Sequence, residues 1–482
     1  MLNRIKWLVC LAVLFVTALS LAYSSISLLF SAPSREPWEN QDSHSRLRSS
    51  ASNSLAYCPQ LDQLQNQEQL EEAPLKEWDP SRFIKGPPTR HFRDNLLEDK
   101  FYITATANAG FTNQFMSTVN MIYLGMITDR IPIIPPFGPD HHISHDAGMV
   151  PFGDIFNLSR ATDAIHRPLL EWRDVKYLPS KDSTVEPKPS EREQIGCWSS
   201  RHGNEPRPVR VKSIVDHLNL DISYTRAPTE ARNNPSDGND AFLVFSKLVR
   251  YIYPKRPLPP PNGVYTLMEK SPLGHELLPD EHLTCFDFLY YLTSSPETYE
   301  WKFSWSPPWL WVATHFHFTD KLVEIVEGYL GRVFGAPKDD LPPFIAVHMR
   351  RGDFAQQCWD TPGDCLIPPS TFEKKVASMR QELLETQNKH VKEVIIMSDE
   401  TDPDFWEEIR ELGWVHFDHT EEKTEQKYGQ WYPPIIDIVA QSMAVGFIGT
   451  DDSTFSLVSA RRVEDWHNGP TTMVSRADRD DR

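Results

Sequence analysis

The chain has 482 residues, with 67 acidic and 49 basic side chains and a formal net charge of −18 at pH 7. This length exceeds one ordinary compact core and predicts two domains with appendages. The acidic balance argues against a general nucleic-acid binder, because such proteins present a basic face to phosphates.

The N-terminus carries the first strong signal. Arg4 and Lys6 precede an almost uncharged run from Trp7 to Phe30. The run reaches the roughly 20 residues that cross a bilayer and exceeds the about 7–15-residue core of a cleaved signal peptide. We predict a short cytosolic tail and a signal-anchor helix over residues 1–30, with a cleaved signal peptide as the alternative. Both interpretations send the rest of the chain into the secretory lumen.

Residues 31–96 are rich in Ser, Gln, Glu, Pro and Arg and show little apolar periodicity. This composition is typical of a flexible stem that holds a domain away from a membrane. An anchor followed by a stem favours a single-pass type II protein of the Golgi membrane. The endoplasmic reticulum is the alternative, although no retention tetrapeptide ends the sequence.

The cysteines suit an oxidising compartment, where they tend to pair. Cys358 and Cys365 are near enough in sequence to close a small loop. Five cysteines follow the apolar run, so one would stay free or form an intermolecular bond. They are Cys58, Cys197, Cys285, Cys358 and Cys365. Asn157 begins the sequon Asn-Leu-Ser and is a candidate glycosylation site.

The region from residue 97 to 335 is predicted to form a first α/β domain. Residues 101–105 alternate as a short strand, residues 109–113 suggest a tight turn, and residues 114–126 have helical spacing. A β-branched strand follows at residues 131–134. This strand-turn-helix-strand unit builds parallel sheets. The middle, from about 140 to 310, is predicted to be irregular α/β with long loops.

Residues 336–470 are predicted to form a second, Rossmann-like domain, because strands alternate with helices of similar length. Ser370 and Thr371 are placed to cap one of these helices behind two prolines. Residues 471–482 are predicted to be a disordered tail. The predicted strands are the apolar run at residues 344–347 that leads into HMRRGD, residues 392–399, residues 414–418 and residues 446–449.

Three polar clusters follow strands of this second domain. They are residues 348–353 (HMRRGD), residues 398–399 (SD) and residues 450–455 (TDDSTF). Ligands of such sheets bind outside the carboxyl ends of the strands. Cations, a carboxylate and a helix start with hydroxyls together suit a nucleotide diphosphate. The alternative is that Arg350 and Arg351 only pair with nearby acids such as Asp353 and Asp399.

These motifs carry a resemblance. The segments VHMRRGD, SD after an apolar strand, GTDDSTFS and the early GFTNQF resemble the GDP-fucose protein O-fucosyltransferase superfamily across roughly residues 100–465. The resemblance implies a GT-B fold, in which two Rossmann-like domains face each other across a cleft. It also implies an inverting transfer of fucose from GDP-fucose to a glycoprotein or glycan hydroxyl, with no metal and no further cofactor.

The resemblance also implies roles for individual residues. Arg350 would hold the β-phosphate and stabilise departing GDP, and Asn113 would hydrogen-bond near the sugar. His348 would support the site, and Asp399 would face the base or ribose. The implied donor-binding set is Gly110, Phe111, Asn113, His348, Arg350, Asp353, Asp399, Ser453, Thr454 and Phe455.

One position departs from the family pattern. Some members carry a glutamate before the first glycine, proposed as the base, whereas this chain has Ala109. No base is therefore assigned, and Asp140, His142 and Asp146 are nearby candidates. Two alternatives stay open: the same fold with another nucleotide-sugar donor, and an inactive protein that only binds a nucleotide sugar.

Overall fold

The computed structural model describes residues 76–140, 143–178, 189–357 and 366–479. The predicted signal-anchor, most of the predicted stem, and Cys58, Cys358, Cys365 and His142 lie outside these ranges. Within them, no helix is both long and apolar enough to cross a membrane. Residues 73–482 form one unit, and the division into domains at residue 335 stays a prediction.

The strands are short, buried and rich in β-branched residues, as expected where helices cover both faces of a sheet. They are β1 (Tyr102–Ala105), β2 (Ile131–Ile134), β3 (Leu170–Glu171), β4 (Glu193–Ser199), β5 (Leu220–Arg226), β6 (Leu243–Val244), β7 (Leu267–Glu269), β8 (Leu283–Phe286), β9 (Leu292–Thr293), β10 (Phe344–Met349), β11 (Glu393–Ser398), β12 (Gly446–Thr450) and β13 (Thr471–Val474).

Two larger sheets organise these strands. The first has the order β3-β2-β1-β8-β4-β5-β7, and the second has the order β11-β10-β12-β13. Every neighbouring pair is parallel except β5 with β7. Strands β6 and β9 form a separate parallel pair. The chain is therefore an α/β protein, as the alternation of strands and helices predicts.

The helices connect and cover these strands. They are α1 (Phe92–Asn95), α2 (Phe111–Thr128), α3 (Phe152–Ile155), α4 (Leu158–Ile165), α5 (Trp172–Val175), α6 (Lys212–His217), α7 (Phe245–Ile252), α8 (Pro307–Trp311), α9 (Asp320–Phe334), α10 (Pro369–Gln387), α11 (Pro403–Glu411), α12 (Thr424–Tyr428), α13 (Tyr432–Met443) and α14 (Thr454–His467).

Several predicted boundaries are wrong. The stem prediction ends too late, because Phe92 and Leu96 of residues 76–96 are buried in the core and Phe92 packs edge-on against Trp172. The tail prediction begins too early, because residues 471–474 form β13 and pair with β12. Residues 414–418 make one bridge, from Val415 to Ile395, instead of a strand.

The cap predicted for α10 is also wrong. The N-cap residue is Pro368, which precedes the helix, and no side-chain hydrogen bond caps the helix. Ser370 and Thr371 fall inside its first turn, so their hydroxyls come too late to act as the cap.

A disulfide joins two neighbouring strands of the first sheet. Cys197 on β4 and Cys285 on β8 are bonded, with their Cα atoms 4.5 Å apart. Both side chains are buried, so the bond lies inside the sheet. The sequence alone does not single out this pairing, because 88 residues separate the two cysteines.

The two larger sheets share one hydrophobic core. An aromatic cluster around α2 contains Phe115 and Phe156, and the buried Arg462 of α14 lies against both rings. Helix α14 thus leaves the second sheet and packs on the helix that follows β1. This packing brings the N-terminus of α2 close to the N-terminus of α14.

Candidate active site

The ends of β10 and β12 are joined by one hydroxyl. Thr450 Oγ1 accepts a hydrogen bond from the Arg350 backbone N–H at 2.9 Å and donates one to the His348 carbonyl at 3.0 Å. β10 is buried along its whole length. Arg350 is therefore the first residue to leave the sheet, and its backbone position is set by the neighbouring strand.

The Arg350 guanidinium lies between two carboxylates. Its Nε is 2.8 Å from Asp353 Oδ1, and its Nη1 is 2.8 Å from Asp399 Oδ2. The side chain is 17% exposed. The acids named in the alternative interpretation thus do contact Arg350, and they hold the cation in place at the carboxyl end of the second sheet.

Asp399 shapes the loop that carries Arg350. Its Oδ1 accepts hydrogen bonds from the backbone N–H groups of Arg351 and Gly352, at 2.8 and 3.1 Å. A Cβ at Gly352 would lie 2.7 Å from Asp399 Oδ2, so the close approach requires glycine. Both carboxylate oxygens contact the protein in this structure, and the expectation that Asp399 also faces the base or ribose stays a prediction.

The Arg351 side chain contacts a different set of residues from that of Arg350. Its Nε lies 2.6 Å from Glu400 Oε2, and its Cζ lies 4.7 Å from the centre of the Phe405 ring. It also donates to the Ile367 carbonyl at 3.3 Å. The second arginine of the pair therefore packs the loop against α11.

His348 is buried beneath α14. Its Nδ1 is 2.7 Å from Ser456 Oγ, and its ring lies 4.9 Å from the ring of Phe455. Burial, helped by the charge of Arg350, lowers the pKa of His348 to about 3. A neutral imidazole therefore packs beneath the half-buried Phe455. The resemblance implies that His348 supports the site, and this role stays a prediction.

Ser456 is a residue of this site that sequence reasoning missed. Besides His348, its Oγ contacts the Thr450 N–H at 3.0 Å. A Cβ at Gly449 would lie 2.6 Å from the Ser456 Cβ, so glycine lets α14 approach the end of β12. The motif GTDDSTFS contains both residues, but their contact depends on how closely strand and helix pack.

The start of α14 offers a polar surface. Ser453 is its N-cap and accepts a hydrogen bond from the Ser456 N–H at 3.4 Å. Unpaired N–H groups and the helix dipole at such a terminus favour an anion. Just before it, Asp452 forms an ion pair with Lys302 at 3.0 Å.

The N-termini of α2 and α14 meet through side chains. Thr454 Oγ1 donates to Asn113 Oδ1 at 2.7 Å and lies 3.1 Å from Thr112 Oγ1. Residues 341 positions apart are thus in direct contact. The structure brings the early motif GFTNQF to the same place as the late motif GTDDSTFS.

The turn before α2 differs from its prediction. The helix begins at Phe111, so Thr112 and Asn113 lie in its first turn. The Phe111 ring is buried, 4.6 Å from that of Phe137. The side chain therefore packs in the core, and the predicted donor contact of Phe111 stays a prediction. Around Gly110, an added Cβ would meet no atom within 4 Å, so this backbone borders open space.

Asp140 reaches the residue that precedes Gly110. Its Oδ2 accepts a hydrogen bond from the Ala109 N–H at 2.9 Å. Asp146, in contrast, is hydrogen-bonded to Ser144 and Gln430 and is fully exposed. Of the candidate bases, the structure therefore places Asp140 beside the early motif.

Asn157, the predicted glycosylation site, lies at the start of α4. Asn157 is half-buried and caps α4, with its Oδ1 accepting from the Arg160 N–H at 3.0 Å. Its glycosylation stays a prediction. Among the described residues, no group of three or more His, Cys, Asp or Glu side chains is placed to hold a metal ion.

Two solved fucosyltransferase structures are similar to this chain. A crystal structure of POFUT1 in complex with GDP-fucose is 12% identical, with a TM-score of 0.46, and the match covers 78% of this chain and 98% of that one. The fucosyltransferase NodZ from Bradyrhizobium is 10% identical, with a TM-score of 0.36, covering 75% and 92%. A search of curated proteins found no match.

A family model decides the assignment. The model of the GDP-fucose protein O-fucosyltransferases matches residues 102–464. This range runs from β1 to the last turns of α14 and includes every element of the site. The chain therefore belongs to the GDP-fucose protein O-fucosyltransferase family and is a glycosyltransferase.

Proposed function

We propose that this protein transfers fucose from GDP-fucose, with inversion, to a hydroxyl of a glycoprotein or glycan. One observation carries the proposal: the Arg350 loop and the N-termini of α2 and α14 converge, although they come from distant parts of the chain. The arrangement would be that of a GT-B enzyme, with the donor between two Rossmann-like halves. The family whose model matches the chain is that of the GDP-fucose protein O-fucosyltransferases, which supports this donor.

Positive charge from the protein would stabilise the leaving group. In sugar transfer the anomeric carbon becomes oxocarbenium-like while negative charge builds on the departing phosphate. We assign the β-phosphate to Arg350 and to the N-terminus of α14 at Ser453 and Thr454. Phe455, supported by His348, would contact the guanine. We propose that no metal takes part. Measuring GDP release from GDP-fucose with and without EDTA tests this.

We further propose that the enzyme acts in the lumen of the Golgi, anchored by residues 1–30, with the endoplasmic reticulum as the alternative. The bond between Cys197 and Cys285 supports an oxidising compartment. Protease protection of the full chain in sealed microsomes tests the orientation.

The adjacent arginines supply a matched pair of variants. We expect Arg350→Gln to slow GDP release from GDP-fucose by about 10²-fold or more, because one positioned donor to a developing anion contributes this much. Arg351→Gln should keep GDP affinity and release close to the wild type, since Arg351 pairs with Glu400. Release kinetics and calorimetry with GDP, GDP-fucose and UDP measure both effects.

The same panel separates the alternatives. If UDP binds more tightly than GDP, the donor is a UDP-sugar and not GDP-fucose. GDP-fucose that binds but is never turned over, with lumenal glycoproteins present, would favour an inactive binding protein. Full turnover by Arg350→Gln would overturn the assigned role of Arg350.

A further inference from the structure

We infer that Asp140 is the general base that removes the proton from the acceptor hydroxyl. This inference rests on the proposed function, because it names the group that completes the transfer. The inference is based on the position of the Asp140 carboxylate, which lies 2.9 Å from the backbone nitrogen of Ala109. Ala109 directly precedes Gly110, whose backbone borders open space. That position lies on the side of the site formed by α2.

The loop that carries Asp140 is locked to the start of α2. Gln114, which is buried, donates from Nε2 to the carbonyls of Ala109 and Gly138, each at 2.8 Å. The Gly138 N–H returns a bond to Gln114 Oε1 at 2.9 Å. One amide side chain therefore holds together the two loops that meet at Asp140.

Gly138 adds a second constraint. A Cβ there would lie 2.6 Å from Ile214 Cγ1, so the loop packs directly on α6. Two residues later, Asp140 arrives beside Ala109, which has a left-handed backbone with φ of 68°. A base that acts at a fixed point needs such rigid support.

Other carboxylates near the site are occupied by cations. Asp353 and Asp399 contact Arg350, and Asp452 contacts Lys302. Drawing a proton to Asp353 or Asp399 would weaken the hold on the arginine that faces the leaving group. The Asp140 carboxylate accepts the Ala109 backbone N–H, and a carboxylate can keep such a bond while its other oxygen accepts a proton.

The step is a single displacement. The acceptor oxygen forms a bond to C1 of fucose while its proton moves to the Asp140 carboxylate. The bond from C1 to the β-phosphate oxygen breaks, and its electron pair leaves with GDP beside Arg350. Asn113 in the first turn of α2 is joined to Thr454 at the start of α14 by a hydrogen bond of 2.7 Å.

Asp140→Asn is the sharpest variant, because an amide oxygen can still accept the Ala109 N–H but cannot act as a base. The probe is GDP release from GDP-fucose with water as acceptor, repeated with azide. Water must lose a proton to form its bond to C1, whereas azide attacks as an anion and needs no base. We expect Asp140→Asn to lose about 10²-fold or more of the water reaction and to keep the azide reaction.

Each possible result of these release measurements supports or overturns the inference. Water-dependent release at the wild-type rate in Asp140→Asn would overturn the inference. So would equal loss of both reactions, or loss of GDP affinity by calorimetry, because the carboxylate would then act by holding the loop. Asp146→Asn, an exposed carboxylate in the same segment, is the control and should match the wild type. A wild type that releases no GDP with either nucleophile would instead reject the proposed function.

Discussion

The two adjacent arginines after β10 do different work because successive side chains of an extended segment point to opposite sides. Arg350 turns toward Asp353 and Asp399, and Arg351 turns toward Glu400. The family resemblance implies that Arg350, two residues after His348, is the arginine of the pair to test for catalysis. The sequence could not predict that Asp399 would hold the loop, because that depends on the spacing of two parallel strands.

At the same scale, His348 predicts a pH dependence of stability. Its pKa is lowered from 6.5 to about 3 in the folded state by burial. The unfolded chain therefore binds more protons between these values, so folding stability is complete above about pH 6.5 and falls as the pH decreases. One such group contributes a slope of at most about 1.4 kcal/mol per pH unit.

The measurement is the free energy of unfolding in urea from pH 7 downward. His348→Asn, which can still hydrogen-bond to Ser456, should show a shallower decline than the wild type. The decline should not vanish, since burial also lowers the pKa of His317, to about 4. Identical slopes for the two proteins would contradict the assignment of the acid sensitivity to His348.

At the scale of elements, the site depends on where two helices begin. The sequence predicts both helices, but it places the start of the first at residue 114. The helix starts at Phe111 because the left-handed turn falls earlier, at Ala109. The meeting of α2 with α14 was expected only from the family resemblance, since no local pattern reports a contact between residues 113 and 454.

The contact between these helices predicts energetic coupling. Asn113→Ala and Thr454→Val each remove one partner of a 2.7 Å hydrogen bond. A double-mutant cycle on the free energy of unfolding should give a coupling of about 1 kcal/mol.

A distant hydroxyl provides the control for this cycle. Ser378 on α10 donates only to the Lys374 carbonyl of its own helix. Asn113→Ala combined with Ser378→Ala should therefore be additive. Coupling as large in this pair as in the first would mean that the cycle reports a general loss of stability.

At the scale of the whole molecule, composition and alternation were enough to predict an α/β protein. They could not predict that Phe92 and Leu96 join the core, because Phe92 and the pair Leu96–Leu97 are isolated apolar residues in a polar stretch. Nor could they select Cys197 and Cys285 from five cysteines. Pairing between distant segments is decided by strand order, in which β4 lies beside β8.

The disulfide predicts a dependence of stability on redox conditions. Removing a bond that closes a loop of this length, by Cys197→Ala with Cys285→Ala, should lower the free energy of unfolding by about 2–5 kcal/mol. Urea unfolding of the variant, and of the wild type in reductant, measures the loss. An unchanged midpoint in both would show that the bond does not stabilise the fold.

The meeting of two helix N-termini has a further consequence for a protein of net charge −18. Like ends of two dipoles repel each other, and two hydroxyls and an amide bridge these ends at Thr112, Asn113 and Thr454. A diphosphate placed there would relieve this repulsion. The diphosphate of the substrate would then act as a counterion between the two helix ends, and the loss of GDP after each turnover would weaken their contact.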